Sequence, residues 1–188
     1  MDFSESPKSA LVAHLVTHAL RTDGPFTLRS GATSDWYLDA RQTTFDGTGA
    51  SLVGRAVLEH VPDDADAVGG MTMGADPVAV ATAITAAESG RSLVSFSIRK
   101  DAKDHGVGGR LVGPIAAGSR VVALEDTTTT GSALVEAIEV LVSEGIEVVA
   151  AVALVDRSDG TAATRLADLG VPYTAIVTPA DLGVGANA

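Results

Sequence analysis

Two adjacent carboxylates stand directly before a run of hydroxyl side chains. Glu125 and Asp126 end the apolar stretch RVVALED, and TTTTGS follows at residues 127–132, before a segment with helical periodicity. A loop that enters a helix N-terminus presents converging backbone N–H groups, so this pattern predicts a phosphate site, and Gly131 allows close approach of the backbone. Two carboxylates would repel phosphate but suit vicinal hydroxyls. The segment therefore predicts a ribose-5-phosphate site.

The alternative is an ordinary helix start, in which Asp126 or a threonine caps the first turn and the repeated threonines are incidental. Four consecutive threonines exceed what a cap requires. Neither GxxxxGK[ST] nor GxGxxG occurs in the sequence, so the segment is neither a Walker loop nor a dinucleotide fingerprint.

Cationic side chains are concentrated in RKDAKDHG, residues 99–106. Two of the three lysines of the chain, Lys100 and Lys103, lie here beside Arg99 and His105. The whole chain carries a net charge of −11, so a site for an anionic ligand needs a local group of cations. The alternative is a solvated charged loop without a ligand.

Composition narrows the classes of partner and compartment. The acidic balance makes nucleic acid and anionic membranes poor partners, and no apolar run approaches the length of a membrane helix. No secretory signal is expected at the N-terminus, the chain has no cysteine, and we expect a cytoplasmic protein. Scarce lysine and abundant aspartate predict a salt-adapted organism, and we expect an archaeal source.

The elements that must position these residues alternate along the chain. Residues 7–21 and 47–60 are predicted helices, and the segments FTL and WYLDAR are expected to form a hairpin around SGATS. From residue 65 onward strands alternate with helices, which predicts an α/β fold with a parallel sheet and helices on both faces. The predicted strands are ADAVGG, RSLVSFSI, LVGPI, RVVALED and EVVAAVALVDR, and the predicted helices are VAVATAITAAESG and ALVEAIEVLVSEG.

Four segments resemble one known family. VVALEDTTTTGSA resembles the phosphoribosyl-diphosphate (PRPP) signature of type I phosphoribosyltransferases. FTLRSGATSDWYLD, at residues 26–39, resembles the orotate-site segment of orotate phosphoribosyltransferases, and RKDAKDHGVGG resembles the mobile catalytic loop of that family. VDR, at residues 155–157, falls where the family has an arginine that recognises orotate. The chain is identified by resemblance as a member of the orotate phosphoribosyltransferases.

A chain of 188 residues is most simply one domain, and the resemblance agrees with a single phosphoribosyltransferase domain over residues 1–188. The resemblance implies a type I phosphoribosyltransferase fold with a mostly parallel sheet, an N-terminal helix and hood within residues 1–45, and a PRPP-binding core over residues 65–188. The implied reaction transfers phosphoribosyl from PRPP to orotate, with Mg²⁺ bound through PRPP rather than by side chains. The implied assembly is a homodimer with shared active sites.

The resemblance also assigns roles to residues. Lys103, His105 and Asp126 are the implied catalytic residues, and Thr129 and Arg157 are the implied orotate contacts. Arg29, Tyr37, Met73 and Gly74 are further candidates. Arg29 replaces a lysine of the family pattern, and the loop GGMTMGADP has no cation where many members have one. The implied PRPP contacts are Arg99, Lys100, Lys103, His105, Glu125, Asp126, Thr127, Thr128, Thr129, Thr130, Gly131, Ser132 and Ala133.

Other interpretations stay open. The chain could be a regulator that senses PRPP without turnover, or a phosphoribosyltransferase for another base. His14 and His18 have the i, i+4 spacing of metal ligands, but the sequence offers no obvious third ligand. Trp36 could stack on a base or pack against the core.

Overall fold

The computed structural model describes residues 6–27, 31, 33–103 and 109–185, without the side chains of residues 102 and 103. Within these ranges, no helix combines the length and apolar character needed to cross a membrane.

The N-terminal part contains three helices and two small antiparallel strand pairs. Ser6 caps the first helix by accepting a hydrogen bond from Ser9 N, and Asp46 caps the third by accepting from Gly49 N at 2.8 Å. In chain order the elements are α1 (Pro7–His18), β1 (Leu20–Arg21), β2 (Phe26–Thr27), β3 (Thr33–Ser34), β4 (Tyr37–Leu38), α2 (Arg41–Thr44) and α3 (Gly47–Leu58).

The expected hairpin between FTL and WYLDAR is wrong. Strand β2 pairs with β3, which lies inside the turn-rich segment, whereas β4 pairs with β1 directly after the first helix. The pairing of Leu20 with Leu38 brings two apolar side chains together beside α1, and this burial selects β1 as the partner of β4. We call residues 20–45 the hood.

The rest of the chain forms one six-stranded sheet with helices on both faces, which confirms the α/β prediction. The strand order is β10-β9-β8-β5-β6-β7, and every neighbouring pair is parallel except β6 with β7. The elements are β5 (Ala67–Met71), α4 (Ala75–Glu88), β6 (Val94–Lys103), β7 (Gly109–Val112), β8 (Arg120–Thr128), α5 (Ser132–Ser143), β9 (Glu147–Asp156), α6 (Thr161–Asp168) and β10 (Tyr173–Val177).

The core lies on both sides of this sheet. Helices α1, α3 and α4 pack apolar side chains such as Leu15, Val57 and Val78 against one face. Helices α5 and α6 cover the other face with Leu134, Leu141 and Leu166, among others. Because the parallel strands β5, β6, β8 and β9 end at the same edge, the residues that follow them meet there.

Candidate active site at the carboxyl edge of the sheet

The acid pair, Glu125 and Asp126, lies near the end of β8 and is largely buried. Atom Oε2 of Glu125 has no hydrogen-bond partner within the described part of the chain. Burial, and then the neighbouring charge of Asp126, raise the pKa of Glu125 from 4.5 to about 8. Burial also raises the pKa of Asp126, although the hydrogen bond from Thr127 N (2.6 Å) and the charge of Arg41 oppose that shift. Buried carboxyl oxygens in this state suit a ligand that brings hydroxyl donors.

The segment after the acid pair, residues 127–133, forms an open turn at the start of α5, and we call it the phosphate loop. The Thr128 hydroxyl accepts a hydrogen bond from Gly131 N at 2.9 Å, and Gly131 adopts a left-handed conformation with φ of 76°. Glycine at the N-cap position has no side chain with which to cap the helix, and Asp126 accepts from Thr127 N instead. The alternative in which Asp126 caps the helix is therefore wrong, whereas a threonine does contribute at the helix start, because the Thr130 hydroxyl accepts from Ser132 N at 3.4 Å. Thr130 and Ser132 are exposed, so an anion can approach the first turn of α5.

A cation from another helix reaches the phosphate loop. Arg165 on α6 donates a hydrogen bond from Nη1 to the Ser132 hydroxyl at 2.7 Å, and that hydroxyl also lies 2.9 Å from the hydroxyl of Thr130. Arg165 is exposed, as are Thr129, Thr130 and Ser132. Sequence reasoning missed this arginine, because only the packing of α6 beside α5 brings it to the loop.

A cavity of about 540 Å³ joins the acid pair to the loop after β5, and we call it the acid-pair cavity. Lys100, an implied PRPP contact, and Met73 and Gly74, two further candidates, line this cavity with the acids. Gly74 contacts the acid pair so closely that a Cβ atom there would lie 2.6 Å from Asp126 Oδ1. The lining residues are Arg41, Met71, Thr72, Met73, Gly74, Lys100, Glu125, Asp126, Ala133 and Glu136.

An internal hydrogen bond between Thr72 and Asp76 stabilises the loop after β5. The Thr72 hydroxyl donates to Asp76 Oδ2 at 2.6 Å, so Asp76 has a structural contact at the start of α4. The side chain of Met73 is largely exposed. No side chain of residues 71–75 is cationic, as the sequence indicates.

The cation segment, residues 99–106, is only partly described. Lys100 is exposed and lines the acid-pair cavity, whereas Arg99 is half-buried and does not line it. The carbonyl of Arg99 accepts a hydrogen bond from Arg110 Nε at 2.7 Å, and Arg110 also pairs with Glu136 on α5. The side chain of Lys103 and all of His105 lie outside the described residues, so their catalytic roles stay predictions.

The predicted orotate arginine lies at the end of β9. The backbone N–H of Arg157 donates to the Thr128 carbonyl at 2.8 Å, which ties it to the start of the phosphate loop. Burial lowers the pKa of the Arg157 guanidinium, and its Nε has no hydrogen-bond partner among the residues described. A desolvated guanidinium of this kind favours an anionic partner.

A second cavity of about 460 Å³ adjoins Arg157, and we call it the Arg157 cavity. Of the predicted base-site residues that the structure describes, Arg157 lines it, whereas Thr129 and Tyr37 do not. Tyr37 is partly exposed in the hood, 5.9 Å from Phe26 between ring centres. Arg29 lies outside the described residues. The lining residues are Asp156, Arg157, Asp159, Gly160, Thr178, Pro179, Ala180, Val184 and Gly185.

Trp36 packs rather than presenting a stacking face to solvent. It is buried, its Nε1 donates to the Gly185 carbonyl at 3.0 Å, and the Arg157 guanidinium lies 4.2 Å from its ring centre. Of the two interpretations of Trp36, packing against the core is therefore correct. The contact also orients Arg157.

His14 contacts the N-terminal helices, and its ring lies beside that of His18. His14 lies 3.1 Å from the Thr43 hydroxyl through Nδ1 and 3.2 Å from Asp46 through Nε2, and its ring centre is 4.3 Å from that of His18. In the ranges that the structure describes, no group of three His, Cys, Asp or Glu side chains could hold a metal ion.

Comparisons with known proteins agree on one family. No family model matches the chain. The orotate phosphoribosyltransferase of Streptomyces avermitilis is 46% identical over 162 residues, covering 86% of this chain and 89% of the relative. That of Corynebacterium glutamicum is 42% identical over 176 residues, covering 93% and 94%. Both relatives are bacterial, so they give no support to an archaeal origin.

Solved structures give the same result. The crystal structure of Mycobacterium tuberculosis orotate phosphoribosyltransferase in complex with Fe(III) dicitrate superposes with a TM-score of 0.86 at 35% identity, covering 95% of this chain and 100% of that chain. The structure of the same enzyme in complex with PRPP gives a TM-score of 0.81 at 32% identity, covering 95% and 100%. These neighbours have the type I phosphoribosyltransferase fold, which confirms the predicted fold.

Proposed function

The chain belongs to the orotate phosphoribosyltransferase family, and we propose that it transfers the 5-phosphoribosyl group of PRPP to orotate, giving orotidine 5′-phosphate and diphosphate in pyrimidine biosynthesis. One observation carries this proposal: the largely buried acid pair, whose Glu125 Oε2 has no partner among the described residues, leads directly into the phosphate loop and lines one cavity with Lys100. The Mycobacterium tuberculosis relative has been crystallised with PRPP, which supports PRPP as the donor substrate.

The order of the phosphate loop, the acid pair and Lys100 along the site defines one orientation for bound PRPP. Its 5′-phosphate would accept hydrogen bonds from the N–H groups and hydroxyls of the phosphate loop, with Arg165 close by. The ribose hydroxyls would donate to Glu125 and Asp126, which supplies the donors that Glu125 Oε2 lacks. The diphosphate would then lie toward Lys100 and the loop after β5.

The reaction replaces one bond at C1′ of the ribose with another. The bond from C1′ to the diphosphate oxygen breaks, with its electron pair leaving on the diphosphate. A bond from C1′ to orotate N1 forms, and the N1 proton passes to solvent. Positive charge develops on the ribose ring while negative charge grows on the diphosphate. Cations placed over the diphosphate stabilise the transition state more than the bound substrate, so we assign this role to Lys100, Lys103 and His105.

Orotate carries a carboxylate, and Arg157 is the cation suited to it. Its guanidinium is desolvated and oriented by the Trp36 ring, and a planar fork can bind a carboxylate through two parallel hydrogen bonds. Thr129 and Tyr37 remain proposed orotate contacts on the family resemblance alone, since neither lines the Arg157 cavity.

Mg²⁺ is proposed as the cofactor, held through PRPP. The carboxyl oxygens of the acid pair beside the diphosphate position are donors of the hard oxygen type that Mg²⁺ prefers. Such an ion, when bound, would neutralise charge on the diphosphate.

The direct test is the loss of orotate ultraviolet absorbance in the presence of PRPP and Mg²⁺, in molar KCl and in dilute buffer. We expect turnover with orotate and none with uracil or hypoxanthine. Turnover with another base would change the substrate. PRPP binding by calorimetry without turnover would identify a regulator instead.

We also propose a homodimer whose cation segments complete the neighbouring active sites. The family resemblance supports this proposal, and Arg99, an implied PRPP contact, does not line the cavity that Lys100 enters in its own subunit. The variants Lys103→Ala and Asp126→Ala should each be inactive, and their mixed dimer should recover part of the activity. A mixed dimer as inactive as its parents would rule out this sharing.

A further inference from the structure

The acid-pair cavity is poor in cations for a site that must hold a diphosphate. Three carboxylates line it, Glu125, Asp126 and Glu136, and Glu136 is paired with Arg110. Among the described residues, Lys100 contributes one positive charge to the lining. A longer side chain at Gly74 could not supply another without displacing Asp126, because its Cβ would lie 2.6 Å from Asp126 Oδ1. Beyond the proposed contribution of Lys103 and His105, any further cation among the described residues must come from a different element.

Arg41 is the second described cation that lines this cavity. It begins α2 in the hood, and its Nε donates to Asp39 Oδ1 at 2.7 Å. Asp39 also accepts from the Gln42 amide at 3.2 Å, so the carboxylate that holds Arg41 is itself fixed.

The geometry of Arg41 leaves its end groups available. Its Nη nitrogens have no hydrogen-bond partner within the part of the chain that the structure describes, and the side chain is 53% exposed. The positive charge of Arg41 acts on the Asp126 carboxylate and partly opposes the rise of its pKa. An arginine that served only to stabilise the hood through Asp39 would not need to line the acid-pair cavity.

We propose that Arg41 binds the diphosphate of PRPP, supplying from the hood the cation that residues 71–75 lack. This inference rests on the proposed function and adds a binding residue to it. The guanidinium can donate two parallel hydrogen bonds to phosphate oxygens while Nε remains on Asp39. Binding of the diphosphate then also links the hood to the core of the same subunit.

The test compares Arg41→Ala with Arg21→Ala. Arg21 is a matched control, because it lies in the same hood and is also paired with an aspartate two residues away, Asp23. Binding of inorganic diphosphate with Mg²⁺ is measured by calorimetry, and the KM for PRPP by turnover. We expect Arg41→Ala to weaken both by about 10- to 100-fold, the usual range for a charge-assisted hydrogen bond, and Arg21→Ala to leave both within twofold.

Two further measurements separate binding from hood structure. Binding of inorganic phosphate by the phosphate loop should not change in Arg41→Ala, and equal losses for phosphate and diphosphate would overturn the proposal. Asp39→Asn removes the partner but keeps the cation, so it should bind diphosphate at least threefold more tightly than Arg41→Ala. Equal weakening in these two variants would make Arg41 a structural residue.

The outcome is independent of turnover with orotate. If the unmodified protein binds diphosphate through Arg41 but does not consume orotate, the proposed function fails and the assignment of Arg41 stands. If orotate is consumed and Arg41→Ala binds diphosphate normally, the proposed function stands and the assignment of Arg41 fails.

Discussion

Replacing Glu125 with glutamine should remove much of the pH dependence of stability of the unliganded protein. Glu125 is largely buried, its Oε2 atom is enclosed without a partner in the described structure, and its pKa is raised from 4.5 to about 8. Glutamine has nearly the same shape but stays neutral at every pH. The substitution therefore removes the ionisation of Glu125 together with its coupling to Asp126.

The direction follows from proton binding by the two states. Between pH 4.5 and about 8 the unfolded chain loses the Glu125 proton while the folded chain retains it, so the free energy of unfolding falls as pH rises. Each pH unit costs about 1.4 kcal/mol, which gives a total on the order of 3–5 kcal/mol. The stabilisation is complete below pH 4.5 and is lost above about 8. This is a large part of the 5–15 kcal/mol by which typical domains are stable.

Urea unfolding at constant KCl, followed by circular dichroism from pH 5 to pH 9, measures the effect. We expect Glu125→Gln to match the unmodified protein near pH 5 and to exceed its stability by roughly 3–5 kcal/mol at pH 9. Glu139→Gln is the control, since Glu139 is an exposed glutamate on α5, and its curve should follow that of the unmodified protein. Parallel curves for all three proteins would refute a buried, neutral Glu125.

The same substitution should weaken PRPP binding, because an amide offers a poorer acceptor pair to the ribose hydroxyls than a carboxylate does. Glu125→Gln should therefore gain stability at alkaline pH and lose affinity for PRPP. This trade-off is expected where a binding residue lies in an environment that disfavours its charge.

Three further substitutions test the rest of the site. Gly74→Ala should raise the KM for PRPP at least tenfold and leave the KM for orotate within threefold, because the new methyl group displaces Asp126; steady-state kinetics with each substrate varied will show whether the loss is selective. Arg165→Ala should weaken inorganic phosphate binding by about two- to fivefold in calorimetry, since an exposed cation near Ser132 contributes about 0.5–1 kcal/mol. Arg157→Lys should raise the KM for orotate about 10- to 100-fold with little change for PRPP, because lysine cannot form the bidentate pair; an equal effect on both substrates would contradict its assignment to the base.

The sequence predicts those parts of the site that are contiguous in the chain. The acid pair and the phosphate loop follow one another without interruption, so their types and order alone indicate an anion site beside two carboxyl groups. The position of Arg157 follows from its place at the end of a strand neighbouring β8. Strand-helix alternation likewise predicts the parallel sheet.

The missed residues depend on pairings that local pattern does not determine. Arg41 reaches the acid-pair cavity only because β4 pairs with β1, whereas the pattern of turn residues favours a hairpin with β2. Arg110 on β7 pairs with Glu136 on α5, although the two residues are 26 positions apart in the chain. The pKa of Glu125 also depends on burial by distant segments, which periodicity in one strand cannot measure.

The position of Trp36 gives the molecule a built-in optical probe. It is the chain's single tryptophan, and its indole ring lies against the guanidinium of Arg157. An anion that draws this guanidinium away changes the electric field at the indole, and its emission changes with it. Fluorescence of the unlabelled protein can therefore report occupation of the base site beside Arg157. Titration with each substrate alone, and then with both, can show from one intrinsic chromophore whether orotate needs PRPP to bind.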